Sequence, residues 1–480
     1  MFQASYQYWS IALYIAVSLG VLIWTLLEGR TRRESRGIER EAIGTARYSW
    51  WIVGLTVAAT MLGPADALGL SAKGYTHGYI WALGPLGAAL AQIVAGVFFV
   101  RRIKMKSGKP QTLGDIFSER FGPSARVGVG ALIVLQAIPF AGLLVLAGAQ
   151  ILDTFMGVPK LYGIIAVAGS IGVMTAAGGL ATVVRTDIFQ SGLIIVMLFV
   201  VLGTTLSILF SGAPVVGPSS PPPAEEVTFA AIFAVTLTYF FGELLLPFYA
   251  QRALMARSPD AARWGFILAG LLAGVWYFVV TGAGVAARAV HVADPEFVLL
   301  GNITAVLGTT GFTASLILAL AFVSLLALTH STFDAILNTG GTALARDVVG
   351  GVVKLDADQQ GVLARLAMLF ISLLGMVIPF IWSDLIDILL VGYTIWAPTM
   401  MPIFAWLILT EDRRHPTKVF WLALAAGVLG WWLAPKFLPD EIPAVLLGVV
   451  ANVAVLFVML GWRGRGPDPS VEVSSTTQPR

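Results

Sequence analysis

The sequence predicts an all-α integral membrane protein with about thirteen transmembrane helices. Three observations lead there. Of the 480 residues, 57% are hydrophobic and only 12% are charged, whereas soluble domains carry about a quarter charged residues. Apolar runs of about 17–25 residues recur from one end of the chain to the other. Basic residues gather in alternate connecting loops, as the positive-inside rule requires of a multi-spanning chain.

The same composition excludes other classes. The chain has no cysteine, which removes disulfides, thiolate-bound metals and thiol chemistry. Its four histidines lack metal-like spacing, so no zinc or haem site is expected. A net charge of +3, scattered over short loops, does not indicate nucleic acid. No Walker motif is present, so nothing suggests ATP as an energy source.

In chain order the spans fall near 8–27, 48–71, 79–100, 126–153, 161–177, 186–211 and 228–251. The others fall near 263–287, 310–341, 362–381, 385–410, 417–435 and 442–462. The first run has the length of a signal peptide, but its basic cluster (Arg30, Arg32, Arg33, Arg36, Arg40) follows it, so it reads as a retained helix. Loops on one side hold Arg101, Arg102, Lys104, Lys106, Lys109, Arg185, Arg252, Arg257, Arg346, Arg413 and Arg414. Opposite loops hold only Lys73, Lys160, Arg288 and Lys436. The N-terminus is therefore expected outside and the C-terminus in the cytoplasm, in the cell (inner) membrane.

Between spans, residues 112–121 (TLGDIFSERF) read as a short amphipathic helix lying along the inner surface. Residues 212–226 (GAPVVGPSSPPPAEE) read as a stiff external connector. The tail after Trp462 is polar and reads as disordered, with no signalling or catalytic domain attached.

The second span contains VAATMLGPADALGL, Val57 to Leu70. Gly63, Pro64 and Asp66 sit where a continuous helix wants Leu or Val. Proline removes a backbone N–H and clashes with the preceding turn. A carboxylate at the midplane costs roughly 2.5–3.5 kcal/mol and needs a partner, a proton or water. The stretch reads either as a proline kink or as a helix broken at a binding site. The seventh span repeats the pattern in TYFFGELLLPFYAQR, with Gly242, Glu243 and Pro247. Two interrupted helices in corresponding positions point to the midplane site of a transporter, and their offset of five spans gives the reversed orientation of an inverted repeat.

Three further segments carry a family resemblance. ALTHSTFDAILNTGGTALARDVV (Ala327 to Val349) resembles the signature helix of the sodium:solute symporter family, with its Ser-Thr pair and downstream Asp. TAAGGLATVVRTDIFQSGL (Thr175 to Leu193) is similar to the family's crossover, and PFYAQRALMARSPDAAR (Pro247 to Arg263) to its Gln-Arg loop. YSWWIVGLTVAAT also matches the start of the family's first core helix. The Pro-x-x-Tyr-x-Gln-Arg wording hints at the choline and proline branches.

The resemblance implies a LeuT-type inverted five-plus-five repeat with broken first and sixth core helices. The implied divisions are an extra helix and basic loop at 1–47, a first repeat at 48–212, an external loop at 213–227 and a second repeat at 228–410. Extra helices at 411–463 and a disordered tail at 464–480 complete the chain. It also implies Na⁺ as coupling ion, held by the carbonyls of Ala59, Leu62 and Leu328 and the hydroxyls of Ser331 and Thr332. Taken without the resemblance, those hydroxyls would simply bond back to the preceding turn. Asp187 falls on the family's ion release path or at a second ion site; its alternative is a helix cap.

Asp66 and Glu243 depart from the family pattern, which often has Gly-Gln-Pro wording at the latter. Facing one cavity, they would share a proton or bind a cationic group. His330 is either a satisfied buried histidine or a proton-coupling group. Aromatic walls suit an organic solute, so Tyr239, Phe240, Asp66 and Glu243 are the expected substrate contacts, with Trp81 and Gln92 in the adjacent span. Trp9, Trp382 and Trp431 are expected in the interfacial belt.

The function expected is Na⁺-coupled symport of a small organic solute into the cell, with the lipid bilayer as the other partner and no enzymatic step. The alternatives are H⁺-coupled uptake of a cationic or zwitterionic solute, and a non-transporting solute sensor.

Overall fold

In a computed structural model, residues 48–105, 112–211, 227–290, 298–308, 311–410, 413–439 and 442–461 are described, with part of 9–27; side chains of 179–182 are not. The connector at 212–226, the basic cluster after the first span and the tail lie outside these residues.

The described chain is helical. Successive helices are α1 (Trp50–Met61), α2 (Asp66–His77), α3 (Tyr79–Met105), α4 (Leu113–Phe121) and α5 (Pro123–Met156). A helical stretch from Lys160 to Phe210 supplies two apolar segments, α6 (Lys160–Gly178) and α7 (Val183–Phe210). There follow α8 (Phe229–Glu243), α9 (Pro247–Met255), α10 (Pro259–Val290), α11 (Val298–Leu307) and α12 (Phe312–Val352). The last are α13 (Ala357–Phe380), α14 (Leu385–Trp396), α15 (Met401–Leu409), α16 (Thr417–Phe437) and α17 (Ala444–Leu460). Eight of these are long and apolar enough to cross a membrane, or eleven if each bent pair is one span.

Three pairs are bent: α1 and α2 by 64°, α8 and α9 by 50°, and α14 and α15 by 49°. The first two are the interruptions expected from Gly63-Pro64 and from Gly242 to Pro247, and the angles exceed an ordinary kink. The third was not anticipated, although Pro398 and Pro402 lie at it. Its freed backbone is satisfied from α17, where Asn452 Nδ2 donates to Pro398 O (3.1 Å) and Thr399 O (2.7 Å). Gly427 of α16 admits the same turn, since a Cβ there would lie 1.9 Å from Pro398 O.

Helix α12 runs through the centre, packed on α5 and the α6–α7 stretch, while α10 covers α1, α2 and α3. All described polar side chains from Thr329 to Asp334 on α12 are buried.

Two expectations change. Helix α4 is more enclosed than a helix resting on a surface: Leu113, Ile116, Phe117, Arg120 and Phe121 are buried, and Glu119 is exposed. A capping box of Thr112 and Asp115 starts it. Thr112 Oγ1 donates to Asp347 Oδ1 at 2.7 Å, and Arg120 Nη2 donates to Leu407 O at 3.2 Å, so part of its polar side meets protein. Arg252 is not a loop residue either; it lies in α9 and is 1% exposed. The tryptophans Trp9, Trp382 and Trp431 are exposed, as belt residues should be.

Candidate functional site

The first group of candidates gathers where α1 ends against α12. Ser331 Oγ donates to Ala59 O at 2.7 Å and reaches Leu328 O at 3.2 Å. Thr332 Oγ1 reaches Leu328 O at 3.1 Å and Ala59 O at 3.5 Å. The bonds to Leu328 are the back-bonds any serine or threonine makes; those to Ala59 cross between helices. Leu62 lies at the C-terminal end of α1 with extended backbone, and neither hydroxyl bonds to it. A cavity lined by Ala59, Leu62, Ser191 and Trp276 adjoins this point.

The second group surrounds the two breaks. Asp66 Oδ2 accepts from Gly63 N at 3.0 Å, so the carboxylate satisfies the backbone that Pro64 unwinds. Glu243 ends α8; its Oε1 accepts from Tyr393 Oη at 2.6 Å and its Oε2 from Gln92 Nε2 at 3.4 Å. Gly242 makes this possible, because a Cβ there would strike the Tyr393 ring at 2.3 Å. The next turn is strained: Leu245 has φ +61°, a conformation costing a non-glycine residue about 1–3 kcal/mol. Trp396 Nε1 caps the freed Leu244 O at 3.1 Å.

Aromatic rings form a wall around Glu243. Tyr239 stands edge-on to Tyr393 at 5.6 Å, Tyr393 to Phe140 at 6.0 Å, and Phe140 to Phe248 at 6.2 Å. Asp66, Glu243 and Tyr277 lie within electrostatic range of Tyr239 or of one another. Phe240 does not share in this wall. It is half-buried and packs on Phe241 at 5.2 Å. Trp81 also stands apart, stacked near His77 at 5.0 Å with Lys73 over its ring.

The third group is a buried polar chain beside the hydroxyl pair. Gln190 Nε2 donates to Tyr14 Oη at 3.1 Å, and Tyr14 Oη lies 2.8 Å from His330 Nδ1. His330 Nε2 is 3.1 Å from Asp334 Oδ2, and Thr175 donates to Asp334 Oδ1. Both nitrogens of His330 are thus partnered, with the proton on Nε2 assigned from the chain of bonds. Asp187 is not a helix cap. Its Oδ2 accepts from Arg252 Nη2 at 3.0 Å, tying α7 to α9.

Sequence reading missed Tyr14, Gln190, Asp334, Arg252 and Tyr393 as partners, since each is paired across more than 60 residues except Asp334. Asp334 stood in view, four residues after His330 on the same face.

The sodium:solute symporter family matches residues 43–411. The chain belongs to that family. The sodium/glucose cotransporter of Vibrio parahaemolyticus is 26% identical over 326 residues, which is 61% of this chain and 57% of that protein. The sodium/pantothenate symporter of Escherichia coli is 23% identical, over 58% of this chain and 59% of its own length. The chain thus spans less than two thirds of the length of these relatives. A Na⁺-coupled sialic acid symporter, in a substrate-bound outward-open state, superposes with a TM-score of 0.73 at 16% identity, covering 95% of this chain and 99% of that one. That likeness gives the fold.

Proposed function

We propose that this family member is a secondary active transporter that couples Na⁺ to uptake of a small organic solute into the cell by alternating access. The observation that carries the reading is the convergence of Ala59 O, Leu328 O, Ser331 Oγ and Thr332 Oγ1 at the end of α1. Na⁺ is a hard cation that takes oxygen ligands, and hydroxyls and free carbonyls are inexpensive to bury compared with carboxylates. The donor set therefore fits the ion. Leu62 O, at the end of α1 beside the same cavity, would complete it.

In this reading α1–α2 and α8–α9 are the first and sixth core helices of an inverted five-plus-five repeat, over 48–212 and 228–410. Residues 9–27 and α17 raise the eleven spans to about thirteen, with the N-terminus outside the inner membrane. Residues 1–47, 411–463 and 464–480 are peripheral, and 213–227 is the external connector. Solute lies between the two breaks, against Tyr239, Glu243 and Asp66. Phe240 faces away in this state. Asp187 with Arg252 closes the inward path. Membership of this family favours sodium over proton coupling, and His330 then serves as a fixed partner of Tyr14 and Asp334.

Na⁺ binding favours the outward-open state only through its differential affinity for the two states. No bond is made or broken. Uptake by proteoliposomes tests the reading: a solute should accumulate under an inward Na⁺ gradient and equilibrate when K⁺ replaces Na⁺. Accumulation indifferent to the cation would overturn it.

A further inference from the structure

The charge around the two breaks is unbalanced. Asp66 and Glu243 are 5% and 6% exposed and lie within electrostatic range of each other. Asp66 is held by a backbone N–H, and Glu243 by Tyr249, Tyr393 and Gln92. Among the described residues no Lys, Arg or His acts on either carboxyl group. The cations carried by the second halves of the two broken helices are committed elsewhere: Arg252 to Asp187, and Lys73 to the ring of Trp81.

Two further polar atoms at the same place are orphaned. The Tyr239 hydroxyl is buried with no hydrogen-bond partner, although it lies within electrostatic range of both acids. Gln92 gives its Nε2 to Glu243 and leaves Oε1 buried and unpaired. Buried polar atoms without partners are rare and call for a ligand. Here the unmet needs share a sign. Two carboxyl groups, an amide oxygen and a phenol oxygen can all accept hydrogen bonds, and the rings of Tyr239 and Tyr393, edge-on to each other, stand beside them with Tyr277 in electrostatic range.

Building on the symport reading, we infer that the solute carries a positive charge on an ammonium group, seated between Glu243 and Asp66 and walled by Tyr239, Tyr277 and Tyr393. The ammonium supplies the counter-charge that the protein withholds. Its N–H donors satisfy Gln92 Oε1 and Tyr239 Oη, and its carbon substituents lie on the rings. A neutral polyol would leave two buried acids without a counter-charge, and an anion would add a third negative group.

The test uses the full-length protein in detergent, in Na⁺ and in K⁺ at equal ionic strength. Melting temperature is followed with three size-matched sets: n-butylammonium, 2-hydroxyethylammonium and n-propylammonium; the corresponding alcohols; and the corresponding carboxylates. In Na⁺, ammonium members should stabilise the protein and their neutral and anionic counterparts should not. Glu243→Gln should weaken the ammonium response by about thirtyfold or more in concentration, while keeping the response to Na⁺ alone. Retention of the Na⁺ response shows that the variant is folded.

Stabilisation by the alcohols or carboxylates, an ammonium response that survives Glu243→Gln, or no ammonium response beside an intact Na⁺ response would each overturn the inference. Absence of a Na⁺ response in the unaltered protein would instead strike the symport reading.

Discussion

Asp187 and Arg252 meet at 3.0 Å with side chains 0% and 1% exposed, so the second half of one broken helix is pinned to α7 by an ion pair wholly inside the protein. Arg252 Nη1 also donates to Phe248 O at 3.2 Å. A buried pair contributes little net stability, yet breaking it strands a charge and costs about 3–5 kcal/mol. Asp187→Leu or Arg252→Met alone should therefore lower the melting temperature sharply, and the double substitution Asp187→Leu with Arg252→Met should recover much of the loss. Thermal unfolding of the three variants checks this. Single and double variants that lose stability additively would show that the pair is not coupled.

The α14–α15 break depends on α16 and α17. Asn452→Ala removes the donors to Pro398 O and Thr399 O and leaves two carbonyls unmet at membrane depth. The expected loss is about 1–3 kcal/mol per carbonyl. Asn452→Asp, which keeps the shape but loses the amide N–H donors, should be no better than alanine. Chemical unfolding in detergent measures both.

Strain at Leu245 competes with its burial. Leu245→Gly relieves a left-handed residue, φ +61°, worth about 1–3 kcal/mol. It also deletes a side chain only 2% exposed, which costs about 2–5 kcal/mol, and frees the unfolded chain, so a net loss of stability is expected. The variant should also show altered coupling between Na⁺ and solute, because the turn between α8 and α9 becomes more pliable. Uptake at fixed Na⁺ gradient reads this, and wild-type coupling would argue that the strain is incidental.

His415 lies outside the spans, between α15 and α16, and burial together with Arg120 and Arg413 holds its imidazole below the usual histidine range. Its folded pKa is thus lower than its unfolded value of about 6.5. The unfolded chain takes up the proton first as pH falls, so this contribution is complete above the unfolded value and is lost as pH drops through the folded one. The slope of melting temperature between neutral and mildly acidic pH should flatten in His415→Gln.

Much of the fold was legible because membrane helices announce themselves by length and apolarity, and because Pro64 and Pro247 mark breaks where backbone bonds cannot form. The α14–α15 break was less visible, since prolines 398 and 402 also suit an ordinary kink; its carbonyls are met by Asn452, about fifty residues on. Ser331 and Thr332 were legible through their surrounding motif. Spacing alone would have left them as back-bonding hydroxyls, as Thr329 is to Leu325. Helix rotation is what a sequence of apolar runs leaves open. That is why Phe240 and Tyr239, neighbours in the chain, part company, and why Arg252 has the sequence setting of a loop charge yet lies buried in α9.

The central claim is that Ser331 and Thr332 bind Na⁺ with the carbonyl of Ala59. The direct measurement is a titration of Na⁺ into the purified protein at constant ionic strength, K⁺ making up the balance, followed by tryptophan fluorescence. The account predicts a saturable response that disappears in Ser331→Ala with Thr332→Ala, while the melting temperature in K⁺ stays within a few degrees of the unaltered protein. A Na⁺ response unchanged in that double variant would contradict it.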